Sequence, residues 1–176
     1  MSITDWFRSL GGSESAQHAA DTETVRRIVA RLDQLEPTRA RYLAAFAYVL
    51  SRVAGADLHI SDEETDTMVA LLQRVGRLPE EQAVLVVAVA KNQNRLFGGT
   101  ENFLVTRECR SLSSEVERRE LLDCVFAVAA SDHGISAEEE AQIWQIASEL
   151  GFSHAEYVQA RLPYSGKRTV FSRDAR

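Results

Sequence analysis

The sequence predicts an all-α fold: a compact bundle of about seven to eight helices in which one helix-turn-helix unit is written twice. Apolar residues recur at intervals of three and four, without the strict alternation that marks strands. Only three prolines and nine glycines punctuate the 176 residues, so long helical runs are left intact. Residues 56–65 read ADLHISDEET and residues 131–140 read SDHGISAEEE, two loops with the same spacing of Asp, Ile, Ser and paired Glu.

A polar, Ser- and Ala-rich stretch from Gly11 to Ala20 precedes a first helix, expected from about Thr22 to Leu35. Pro37 then opens a second, Thr38 to about Ala56, with Tyr42, Phe46, Val49, Leu50 and Val53 on one stripe. The third follows Ser61 and carries Met68, Leu71, Leu72 and Val75, with Gly76 where a left-handed C-terminal cap is expected. Pro79 starts a fourth, whose run from Ala83 to Ala90 is apolar on nearly all sides and so suits a central buried element. Gly98 and Gly99 are expected to end it, before a shorter helix from about Glu101 to Ser111. Ser114 and Glu117 form a capping box that opens the next, through Leu121, Leu122, Val125, Phe126 and Val128. Helices from Ser136 to Leu150 and from Ser153 to about Arg161 follow, and Pro163 ends the last. One domain, 22–162, is thus expected between a flexible N-terminal segment, 1–21, and a flexible tail, 163–176.

The duplication extends well beyond the loops. Residues 43–82 laid over 118–157 pair Val53 with Val128, Ala54 with Ala129 and Asp57 with Asp132. Farther on, Met68, Leu71 and Val75 meet Ile143, Ile146 and Leu150, and Gly76 meets Gly151. Core positions and punctuation coincide, as a copied helix, turn, helix unit would leave them. Two such hairpins must bury their apolar faces on each other, which gives the bundle an internal pseudo-twofold character.

Composition excludes several functions. The formal charge of −6 and a pI near 5.3 leave no general basic surface for nucleic acid. The unbroken apolar run from Ala83 to Ala90 is far short of the roughly 20 residues a membrane-spanning helix needs. MSITDWFRSLGG lacks the pattern of a secretory signal, which leads us to expect a cytoplasmic protein. Cys109 and Cys124 read as packed, reduced thiols, and the histidines show no metal-ligand spacing. Without a GxSxG, P-loop, HExxH or CxxC pattern no catalytic nucleophile is visible, and we expect no enzyme. Ile3, Trp6, Phe7 and Leu10 fall at helical spacing and suit peripheral contact with a membrane surface or docking on the domain itself.

The duplicated loops carry the remaining chemistry. Ser61 with Glu64, and Ser136 with Glu139, fit capping boxes, while Glu63 and Glu138 sit in first turns where the helix dipole favours a carboxylate. Ile60 and Ile135 have no apolar staple partner, so each is expected to plug the core between its two helices. Asp57 and Asp132 follow the ends of apolar helices, where free carbonyls disfavour an acid. Two compensations are open: an Asx-type turn, or a hard cation such as calcium or magnesium held by the aspartates with the neighbouring glutamates. The ligand and glycine positions of an EF-hand are missing from both loops.

Helix, Asp, Ile-Ser, then Glu-Glu opening the next helix, twice in one all-helical chain, resembles the tellurite-resistance TerB family over about Pro37 to Arg161. Its fold also occurs in the N-terminal region of DjlA-type co-chaperones. The resemblance implies a non-enzymatic domain with metal-binding acidic clusters, here Asp57, Glu63 and Glu64 with Asp132, Glu138 and Glu139. It further implies a divalent-metal-responsive adaptor, acting with a protein partner in a membrane or tellurite stress response. The competing expectation is a protein-interaction scaffold without metal, whose acidic loops act only as helix caps.

Overall fold

A computed structural model describes residues 34–56, 59–132 and 134–167. Among the described residues six α-helices and one 3-10 helix follow in order: α1 (Pro37–Ala54), α2 (Asp62–Arg74), α3 (Glu80–Leu112), α4 (Glu115–Ala129), α5 (Ala137–Leu150), α6 (His154–Arg161) and the 3-10 helix Leu162–Lys167. No strand occurs among the described residues, as an all-α bundle requires. The expected N-terminal segment 1–21 and nearly all of the helix expected over Thr22 to Leu35 lie outside the described residues, as does 168–176.

Five of the six described α-helices begin where a side chain satisfies free amides, and α3, which follows Pro79, has no side-chain cap. Four starts are reciprocal capping boxes: Ser61 with Glu64, Ser114 with Glu117, Ser136 with Glu139, and Ser153 with Glu156. At α5 the Glu139 amide donates to Ser136 Oγ at 3.1 Å, and the Ser136 amide donates to Glu139 Oε2 at 2.8 Å. At α1 a carboxylate does the same work, since Glu36 accepts from the amides of Thr38 and Arg39 at 2.9 and 2.8 Å.

The central element is α1, not the run from Ala83 to Ala90. From Tyr42 to Ala54 every residue of α1 is buried, and the helix packs on α3, α4, α2 and α5. Its many alanines let neighbours approach from all sides. By contrast Val84 and Ala88 on α3 face outward, because only one side of that apolar run is covered. The expected break at Gly98 and Gly99 also fails: α3 is continuous for 33 residues. Glycine lowers helix stability without forbidding the helix, and no proline reinforces the stop.

The two copies of the duplicated unit are the pairs α1–α2 and α4–α5. They cross-pack as a pseudo-twofold demands, α2 against α4 and α5 against α1. Ile135 is buried and Ile60 half-buried against the core, close to the plugging role expected of both. Gly151 takes the left-handed conformation at φ 93°, whereas in the first copy Arg77 takes it at φ 55° and Gly76 does not. Gly76 is needed for closeness instead, because a Cβ there would lie 2.4 Å from the Leu72 carbonyl oxygen.

Residues 163–167 belong to the 3-10 helix; Tyr164 is half-buried and the others are exposed. Tyr164 stacks on Phe126 with centroids 5.2 Å apart, and the Ile135 amide donates to the Lys167 carbonyl at 2.8 Å. An aromatic ring three residues after Arg161 has enough apolar area to fold back.

Candidate functional site: an acidic pole where the two loops meet

The cross-packing of the two helix pairs brings the acidic loops into one electrostatic neighbourhood. Glu64 and Glu139 are 3% and 5% exposed, held by their capping boxes at the first turns of α2 and α5. Glu64 accepts from the Ser61 amide at 2.8 Å and from Ser61 Oγ at 3.1 Å, both on Oε2. Burial pushes its carboxyl up to about 7, against the lowering pull of those cap hydrogen bonds, and the charges of Asp132 and Glu139 push it further. Two other predicted residues, Asp132 and Glu139, thus act on Glu64.

The remaining predicted residues are placed differently. Glu63 and Glu138 project into solvent from the first helical turns, where the helix dipole accounts for them. Asp57 lies outside the described residues, and Asp132 is half-buried just past α4. Among the described residues no group of three or more His, Cys, Asp or Glu side chains is assembled to hold a metal ion. Glu64 and Glu139 each commit one oxygen to a cap. The described carboxylates thus form an electronegative patch.

Sequence reasoning missed a buried ion pair. The side chain of Arg52 is fully buried, and its Nη1 donates to Glu149 Oε2 at 2.6 Å and to the Asn102 carbonyl at 3.2 Å. The guanidinium also donates to Thr106 Oγ1, and Gln142, with its amide oxygen turned inward, accepts from Nη2 at 2.8 Å. In the repeat Arg52 aligns with Ala127 and Glu149 with Arg74, so both halves of the pair break the internal symmetry. An Arg beside Leu50 and Val53 on an apolar stripe was the available signal; its partner lay 97 residues away.

The pattern of the family described as tellurite resistance protein TerB matches residues 42–162. The chain belongs to the TerB family. The match takes in both copies of the duplicated unit and stops at the first residue of the 3-10 helix, so the whole acidic pole lies inside the TerB domain. No curated protein and no solved structure matches the chain. Among the described residues, no helix is long and apolar enough to cross a membrane.

Proposed function

We propose that this TerB domain is a non-catalytic adaptor of the cytoplasm whose acidic pole holds a basic segment of a protein partner. The observation that carries the reading is the convergence of the two loops, which sets the buried carboxyl of Glu64 within reach of the charges of Asp132 and Glu139. Carboxylates crowded at the edge of a core call for a counter-charge, and the exposed Glu63 and Glu138 carry the patch outward to where an ammonium or guanidinium can meet it. A place in a tellurite stress response, in keeping with the family's description as tellurite resistance protein TerB, or in a membrane stress response belongs to the same proposal.

The test is a titration of a Lys- and Arg-rich peptide into isotope-labelled protein, read at the backbone amides. Amides of Ile60–Asp66 and Gly134–Glu140 should move together, and salt at about 0.5 M should reverse the shifts, because screening then reaches to a few ångströms. Amides that stay in place in both loops would sink the adaptor reading.

A divalent cation is the second reading, favoured by the same crowding, which calcium or magnesium would relieve directly. An ion bound to the folded state raises the melting temperature, more so at higher concentration. Asp132→Asn should then remove the ion-induced rise while leaving the chelated protein nearly unchanged. Coincident melts with millimolar ion and with chelator would reject this reading and leave the adaptor standing.

A further inference from the structure

The end of α1, the first half of α2 and the middle of α3 enclose a cleft of about 960 Å³, within the range of small-molecule sites. Its floor is one face of α3. Val84, Ala88, Lys91 and Arg95 recur at helical spacing and change from apolar to cationic along the helix. Val84 and Leu96, at the edges of the cleft, are 50% and 49% exposed. Val69 of α2 faces this floor as a second apolar wall.

Among the described residues the cationic end has no ion-pair partner. Lys91 Nζ donates to Thr65 Oγ1 at 2.8 Å, and Arg95 Nη2 donates to Asn92 Oδ1 at 3.3 Å. Neither forms an ion pair with a described acid. Among the described lining residues Asp66 is the one acid, against Lys91, Arg95 and the already paired Arg52. Like charges four positions apart on a helix repel each other, and a chain of net charge −6 has acids in excess to pair them. Two cations left facing a cleft are suited to an anion from outside, with the planar Arg95 guanidinium able to take two of its oxygens.

We infer that this cleft binds a small anionic amphiphile, its phosphate or carboxylate at Lys91 and Arg95 and its apolar body along Val69, Val84 and Ala88. The probe is octyl phosphate below its micelle concentration, followed by calorimetry and amide shifts, with octyl glucoside and inorganic phosphate as controls. Octyl phosphate should bind more tightly than either control and shift amides of Val84–Leu96. The double variant Lys91→Glu/Arg95→Glu should weaken it by about tenfold or more, because two charge-assisted contacts are lost. Far-ultraviolet circular dichroism checks that this variant folds; if it does not, Lys91→Gln/Arg95→Gln takes its place. Equal binding of octyl glucoside, equal binding of inorganic phosphate, or parental affinity in the double variant would overturn the proposal. Co-sedimentation with phosphatidylglycerol vesicles assigns the source of the ligand: protein carried down points to a lipid headgroup, protein left in solution to a free metabolite.

Discussion

At Glu64 two demands act on one carboxylate: the cap favours an ionised acceptor, while burial and the neighbouring acids penalise its charge. Burial wins and holds the folded-state value near 7, above that of the unfolded chain, so the native state binds this proton more tightly. Its contribution to stability is therefore full at pH values below the unfolded value and is lost as pH rises through about 7. Glu64→Gln keeps an oxygen for the Ser61 amide but has no charge to bury. With chelator present, urea midpoints of parent and variant should diverge between about pH 5 and 7, the variant being the more stable at pH 8. Parallel profiles would show that the carboxyl titrates normally. The thiols offer a second check, since burial pushes Cys109 up to about 12 and Cys124 up to about 11. A thiol-specific disulfide reagent should label neither in the native protein at pH 8 and both after unfolding in urea.

Local signals in the sequence located the helix starts well. Ser followed three residues later by Glu is a short-range pattern whose hydrogen bonds close within one turn, so Ser61, Ser114 and Ser136 could be read before any tertiary structure was known. Replacing Ser61 or Ser136 by Ala should cost about 0.5 to 2 kcal/mol, measured by chemical unfolding. Helix ends and interiors were less legible, because their outcome depends on neighbours. Gly98 and Gly99 carry the same letter as Gly151, yet two lie inside α3 and one is a left-handed cap. Substitution separates the cases. Ala at position 98 or 99 should stabilise by roughly 0.5–1 kcal/mol if the helix is continuous. Ala at position 151 should destabilise, since φ there is 93° and an added Cβ would lie 2.8 Å from the Arg110 guanidinium. The apolar run from Ala83 to Ala90 misled for a related reason: a sequence shows which faces could be covered, and only packing decides which are. Of the candidate site, the loops and their caps were legible; the approach of Glu64 to Asp132 and Glu139 depended on how two helix pairs dock.

Across the whole molecule, Arg52 ties three helices together, reaching from α1 to Thr106 on α3 and Glu149 on α5. Removing one member of a buried pair strands the other charge, so Arg52→Ala or Glu149→Ala should cost about 3–5 kcal/mol in urea unfolding. The double replacement Arg52→Met/Glu149→Met should recover much of that loss, because two apolar side chains leave no charge behind. If both single changes are mild, the guanidinium is less enclosed than its full burial implies.

The hydrogen bond from Ile135 to Lys167 sets an order in time. The cap of α5 can close as soon as its own first turn forms, since both partners lie within four residues. The backbone just ahead of that cap waits for a carbonyl at the far end of the described chain, and such a distant closure comes later than local helix formation. On a ribosome the second acidic loop would therefore be finished only after Lys167 has emerged. The residue that opens the duplicated Ile-Ser motif is held in place by a segment that is made after all six described α-helices.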